Sequence, residues 1–379
     1  MPQAALRAKI IAHPDRTLAD PLKAIARLCQ ALIVVAASLA AGGCYLVQAA
    51  TGQMEITSKR RPIAKVLSDA RTPEKLRNRL EYVSAARTFA SQELGLPDND
   101  SYRSYADVGR PFVVWNVFAT DEFSVQPRRW CFPIAGCVVY RGYFAEANAQ
   151  KYARRLRLRG MDTAVGGVSA YSTLGHFKDP VLNTMLGWSD MQLASTLFHE
   201  LAHQVVYVPG DSEFNEAFAT VVEEAGLQRW LAARGRLKDL ITWNEQRQRN
   251  SQFIGLLLQT RERLEALYGS DLPEAQKRDR KQYQFGVLKL EYAELKKTWN
   301  GYPGYDGWFS RTLTNAHLVS AATYYGCVPG LKRVLQSVDG DLPRFYDKAR
   351  ELAKQDKDAR AAAVCGDLPE KVSAATFDY

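Results

Sequence analysis

Residues 198–220 read FHELAHQVVYVPGDSEFNEAFAT, and within them His199-Glu200-Leu201-Ala202-His203 carries the chemistry. Positions i and i+4 project from one face of a helix, so the two imidazoles can bind one metal ion, while Glu200 beside them can address a water on it. The chain holds only five histidines, and two of them at this spacing around a glutamate form a specific signal. Thr196, Leu197, Phe198, Leu201 and Ala202 are apolar or small neighbours able to pack such a site dry. Upstream, Ser189-Asp190-Met191-Gln192 has the spacing of a capping box, which predicts a helix from 190 to about Tyr207. Downstream, Asp211-Ser212 opens a second helix, expected over 214–233.

A catalytic zinc ion takes three protein ligands and keeps one position open. The metzincin pattern is excluded, because Val206 stands where it requires Gly and Pro209 where it requires His. A glutamate from the second helix is the other solution. Two compete there: Glu216, near the start of that helix, and Glu223, two turns deeper. The connection 208–213 is short, so the residues flanking the turn are those that meet, and this favours Glu216. Glu223 and Glu224 then read as carboxylates outside the ligand set.

Ahead of this helical pair, 111–119 (PFVVWNVFA), 137–144 (CVVYRGYF) and 163–173 (TAVGGVSAYST) have the β-branched and aromatic content of strands. Residues 59–95 read as helices, with breaks at Pro62, Pro73 and Pro97. Beyond the pair, 241–299 combines dense charge with apolar positions at helical spacing, which predicts a long helical hairpin turning near Gly269 to Pro273. Helices, a strand block and then mostly helices predict an α+β class. The expected layout is one domain over 44–379, with helices and strands in 44–188 and the metal-site helices and a helical lobe in 189–379.

The N-terminus reads differently. Residues 31–41, ALIVVAASLAA, are an uncharged apolar run preceded by Arg7, Lys9, Arg16, Lys23 and Arg27, and followed by Gly42-Gly43-Cys44. A transmembrane helix needs roughly 20 apolar residues, so this shorter run fits the core of a signal peptide over 1–43. The junction resembles the bacterial lipoprotein signal, in which Cys44 is lipidated and becomes the mature N-terminus; Ala41 stands where that pattern prefers Leu. An uncleaved anchor reaching back towards Pro21 is the alternative, and either arrangement leaves the rest of the chain outside the cytoplasm. The expected location is the bacterial cell envelope, with a lipid anchor in the membrane and the domain facing the periplasm.

Fifty Lys and Arg against 41 Asp and Glu give a net charge of +9 over 379 residues. The leader holds five of the bases and two of the acids, so three units of that excess go with it. A local cluster, Lys151, Arg154, Arg155, Arg157 and Arg159, falls on a predicted helix before Gly160 and reads as a solvated face; no nucleic-acid partner is expected. Cys131 and Cys137 enclose Phe-Pro-Ile-Ala-Gly between strand-like stretches, which suits a bridge in an oxidising compartment. Cys327 is then left to Cys365, as a second bridge or as two buried thiols. The absence of any CxxC pair excludes a zinc ribbon.

Six stretches carry a family resemblance: GCYLVQAATGQ (43–53), SYRSYADVGRPFVVWNVFA (101–119), WCFPIAGCVVYRGYF (130–144), AYSTLGHF (170–177), the segment 198–220, and NAHLVSAATYY (315–325). Together they resemble the bacterial family of predicted zinc aminopeptidases, usually lipoproteins. The resemblance implies a gluzincin-like metallopeptidase with a zincin-like fold, one zinc ion held by His199, His203 and Glu216, Glu200 as general base, and a peptide substrate. It also places Ala170-Tyr171-Ser172-Thr173 where zincins align substrate along an edge strand. For the donor to the tetrahedral intermediate, His317 is the first candidate, with Tyr324 and Tyr325 as alternatives and Tyr324 also expected to touch substrate. His317 equally suits a packing role, and His176 reads as a loop side chain. An ammonium anchor for substrate is expected among Asp211, Glu213 and Glu223 without a choice between them. Two other functions fit the same motif: an envelope endopeptidase, and a membrane-tethered, non-catalytic binding module with a purely structural metal.

Overall fold

Helix α1 runs through 52–58, and proline marks the boundaries that follow. Pro62, in the two-residue strand β1 (Arg61–Pro62), precedes α2 (Ile63–Ser68), and Pro73 precedes α3 (Glu74–Gln92). Both prolines are extended, and a helix starting after them loses no hydrogen bond to the missing N–H. In this computed structural model the described residues are 45, 47–132, 136–170, 172–175, 177–322 and 327–365. The chain divides into two units, 1–51 and 52–379, and the elements below belong to the second.

Three small sheets follow the first helices. β1 pairs antiparallel with β2 (Ser104–Ala106), which pairs parallel with β8 (Val181–Leu182). In the larger sheet, β3 (Val114–Asp121) lies between β6 (Arg141–Tyr143) and β7 (Met161–Val168), antiparallel to both. β4 (Trp130–Phe132) and β5 (Gly136–Val138) form a separate hairpin in which Cys131 faces Cys137, and the two are bridged. The stretch 137–144 therefore divides, because its first part pairs with β4 and its second with β3. α4 (Glu146–Arg157) lies against β3 and β7 and buries Ala149, Ala153 and Leu156, while Lys151, Arg154, Arg155, Arg157 and Arg159 are exposed. β7 ends at Val168, earlier than the sequence suggested; Ser169 O accepts from Thr184 Oγ1 at 2.6 Å and the chain then turns into a loop.

The second half is helical, and the fold is α+β. α5 (Asp190–Ala202) starts at the expected capping box, with Gln192 N donating to Ser189 Oγ at 3.2 Å. It stops at Ala202 with His203 as its C-cap, well before Tyr207. The side chain of Asn215, 2% exposed, brackets the connection by accepting from Val208 N and donating to Val208 O, both at 2.8 Å. α6 (Ser212–Ala233) then returns along α5. Gly226 permits their close approach: a Cβ there would sit 2.8 Å from Leu94 Cδ1 and 3.1 Å from a Phe198 ring carbon.

α7 (Leu237–Tyr268) and α8 (Glu274–Thr298) form the expected hairpin, followed by α9 (Asp306–Phe309), α10 (Asn315–Ala322), α11 (Val328–Gln336), α12 (Leu342–Ala353) and α13 (Lys357–Val364). Two apolar cores result. The first packs Leu94, Phe198, Leu201, Phe214, Phe218 and Phe345 around the α5–α6 pair. The second packs Phe253, Phe285, Tyr292, Trp299, Phe309 and Leu318 between α7, α8 and α10, with Tyr292 and Phe309 stacked at 4.0 Å. Cys327 and Cys365 are bridged, which ties α11 to the end of α13.

Candidate metal centre

His199 lies in the last turn of α5 and His203 one turn on, so their rings meet edge to face with centroids 4.8 Å apart. Helical spacing puts both on the face that α6 covers. Glu216, from the second turn of α6, reaches both: its Oε2 lies 3.2 Å from His199 Nε2 and 3.8 Å from His203 Nε2. Among the described residues, His199, His203 and Glu216 form a group whose ligand atoms all lie within 4.8 Å of one another. A tetrahedral ion with bonds of about 2.05 Å needs donors roughly 3.3 Å apart; the 3.2 Å separation matches this, and the wider ones, up to 4.8 Å, must contract around an ion. Two imidazole nitrogens and one carboxylate oxygen are a donor set for a divalent first-row metal.

Glu223 approaches from the other side. Its Oε2 lies 3.0 Å from His199 Nδ1, the nitrogen facing away from Glu216. A carboxylate in this position fixes ring orientation and tautomer and leaves Nε2 free to coordinate. Glu224, next in sequence, points elsewhere and is held by Arg247 and by Lys332 at 2.8 Å. Asp211 caps α6, accepting from Phe214 N at 3.3 Å, and its other oxygen takes Arg360 Nε at 2.9 Å and Nη2 at 2.7 Å. This buried pair from α13 secures the end of α6 that carries Glu216.

The charges follow from this packing. Burial works to lower His199, but its contacts with Glu216 and Glu223 outweigh that and raise it well above the ordinary imidazole value. His203 is driven down to about 4 by burial and by the neighbouring His199, and its Nδ1 is buried without a partner. Burial would raise Glu216, yet its contacts with His199 and His203 hold it below the usual carboxylate range. Glu200 is pushed up to about 7 by burial, assisted by the negative charge of Glu216 and Asp179 and opposed by His199.

Glu200 leaves α5 towards a different environment. Ser172, Asp179 and Tyr102 lie beside it, from the loop after β7 and from the segment before β2. Asp179 is 1% exposed and ties that loop: it accepts from Thr173 N at 2.8 Å, Thr173 Oγ1 at 2.7 Å and Ser172 Oγ at 3.4 Å. Neither Tyr102 nor Asp179 stands out in the sequence, since each joins the site through chain reversals that no local pattern announces. Ala170 and Ser172 are partly buried just past the end of β7, which among the described residues has a partner strand on one side only. His317 lies on α10 in the second core; Thr314 N donates to its Nδ1 at 3.1 Å and Trp308 meets its ring edge-on. Tyr171, His176, Tyr324, Tyr325 and Cys44, with the whole of 1–43, lie outside the described residues.

A family model described as "Putative aminopeptidase" matches residues 44–364. No curated protein and no solved structure matches the chain.

Proposed function

The chain belongs to the family described as putative aminopeptidases, and on that premise we propose that it is a zinc-dependent aminopeptidase of zincin-like fold with His199, His203 and Glu216 as ligands and Glu200 as general base. The observation that carries the reading is the convergence of His199 Nε2, His203 Nε2 and Glu216 Oε2 beside a carboxylate that belongs to no ion pair with Lys or Arg among the described residues. A zinc ion held there supplies a Lewis acid that polarises the scissile carbonyl and activates water. Glu200 accepts a proton from the attacking water and returns it to the departing amine, a task suited to a group poised near neutral pH. Glu223 holds the His199 ring by its far nitrogen throughout. An extended peptide pairs along the edge of β7 that has no strand partner among the described residues, in the direction of Ser172 and Glu200. His317 and Tyr324 stay secondary candidates for stabilising the intermediate, since the contacts of His317 on hand belong to the second core.

We place the mature domain, 44–379, on the periplasmic face of a bacterial envelope membrane, anchored by lipid on Cys44 after removal of 1–43. The bridges Cys131–Cys137 and Cys327–Cys365 suit that oxidising location.

The test is hydrolysis by the purified, zinc-loaded chain of unblocked L-aminoacyl 4-nitroanilides and of matched N-acetylated peptides, with and without a chelator. Cleavage of the unblocked substrates alone, lost on chelation and restored by zinc, is the expected result. Internal cleavage of blocked peptides would make it an endopeptidase, and stoichiometric zinc without any hydrolysis would make it a binding module.

A further inference from the structure

Tyr102 is 1% exposed, and its hydroxyl has no hydrogen-bond partner although it is buried. A phenol left unpaired at that depth is costly and calls for an explanation. The backbone there is also unusual: Tyr102 has φ of 62°, in the left-handed region that bulky side chains avoid. Surrounding contacts hold it in place. Arg87, 1% exposed, donates to the carbonyls of Pro97 at 2.7 Å, Asn99 at 3.0 Å and Ser101 at 2.9 Å, and Tyr102 N donates to Asp179 O at 2.6 Å. A buried guanidinium and a strained residue are thus committed to the placement of one side chain.

That side chain lies in range of Ser172, and Ser172 in range of the Glu200 carboxylate, although neither pair is hydrogen-bonded among the described residues. A serine hydroxyl has one proton to give and two lone pairs to fill. Leu174 N donates to Ser172 Oγ at 3.2 Å, which fills one. Ser172 Oγ lies 3.4 Å from Asp179 Oδ2, the longest of these contacts on a carboxylate that Thr173 already satisfies through its N–H and its hydroxyl. A donor for the second lone pair and a better acceptor for the proton are both at hand, the Tyr102 hydroxyl and the Glu200 carboxylate.

We propose that Tyr102 and Ser172 are positioning residues for Glu200: the Tyr102 hydroxyl donates to Ser172 Oγ, and the Ser172 hydroxyl donates to the Glu200 carboxylate. The relay fixes one carboxylate oxygen and directs the other towards the substrate water. It rests on Glu200 being the base.

The experiment measures steady-state hydrolysis of an unblocked L-aminoacyl 4-nitroanilide by the full chain carrying Tyr102→Phe, Ser172→Ala, both together, Ser172→Thr, or Glu200→Gln. Each single relay variant should lose roughly 10- to 100-fold in kcat, with KM and bound zinc unchanged, because the base is misplaced and substrate binding is not. The double variant should lose no more than the worse single one, and Ser172→Thr should retain most of the activity. Wild-type kcat in Tyr102→Phe, or losses that multiply in the double variant, would overturn the relay. Ser172→Ala carries the test alone if Tyr102→Phe fails to fold. Full activity in Glu200→Gln removes the base instead, an outcome the relay variants do not mimic. A crystal structure of the wild-type chain reads the relay without any assay: Tyr102 Oη to Ser172 Oγ, and Ser172 Oγ to Glu200, should each be about 2.8 Å. Ser172 bonded to Asp179 alone would refute it.

Discussion

His199 and His317 are both imidazoles packed inside helical cores, but their surroundings differ in kind. His199 stands between Glu216 and Glu223 in the first core, whereas His317 faces Trp308 and the Thr314 backbone in the second. Burial pulls both down; carboxylate contacts reverse the outcome for His199, while burial drives His317 to about 4, with Arg311 adding to it. Depth therefore leaves the two alike, and their charged neighbours tell them apart. The first core carries charged groups, and the Arg360–Asp211 pair and the Cys327–Cys365 bridge tie its edge together. The second core closes with stacked rings, Phe253 on Tyr305 at 4.2 Å and Tyr292 on Phe309 at 4.0 Å.

The most severe way to break the contrast is to remove the carboxylate that His199 and His203 share. Glu216→Ala should lose bound zinc on dialysis and lower hydrolysis by roughly 1,000-fold or more, the scale on which an essential catalytic element acts. Metal analysis of dialysed protein decides this. Zinc retained here but lost in Glu223→Ala would exchange the roles of the two glutamates. Next in size is Arg360→Ala, which strands Asp211 as a buried unpaired carboxylate at the start of α6. A stability loss of about 3–5 kcal/mol is expected from calorimetric or denaturant unfolding. An unchanged midpoint would show that α13 does not secure the helix that carries Glu216.

The sequence exposes the first core's chemistry far better than its support. The i,i+4 pair, the capping box at Ser189 and the short return to Glu216 are local patterns, and the structure brings those side chains together. The helical hairpin α7–α8 was legible for the same reason, with its turn bounded by Gly269 and Pro273. The end of α5 was not legible, because Asn215, which brackets Val208 in the connection, acts from beyond the turn. Tyr102, Asp179 and Arg360 were invisible for a stronger version of that reason: each works on a partner remote in sequence, as Arg360 does on Asp211. The strand 163–173 was read too long because β propensity continues past Val168, while pairing stops where Ser169 turns to Thr184.

A subtler change sharpens the contrast by altering charge without shape. Glu223→Gln keeps an oxygen for His199 Nδ1 but removes the charge that strengthens the contact, and zinc affinity should fall roughly 10- to 100-fold. Glu224→Gln is the control. Its carboxylate pairs with Arg247 and Lys332, so competition with a chromophoric chelator should give wild-type affinity. Equal losses in the two variants would mean that net negative charge near the site matters and ring orientation does not.

The smallest effect belongs to His317 in the second core. Its folded-state value of about 4 lies below the ordinary 6.5, so between those pH values the unfolded chain binds the proton and the folded chain does not. Stability contributed by neutral His317 is therefore complete above pH 6.5 and declines as pH falls towards 4. His203 is shifted in the same direction, but it is present in both proteins when the wild type is compared with His317→Leu. The variant should have a lower Tm at neutral pH, because Thr314 N loses its acceptor. Its Tm should then drop less than the wild type's between pH 7 and pH 5, by roughly 2–4 °C for a domain of this size. Scanning calorimetry of both proteins at the two pH values measures the difference. An identical drop would mean that His317 is solvated enough to protonate in place, which would bring it back as a group able to exchange protons with its surroundings.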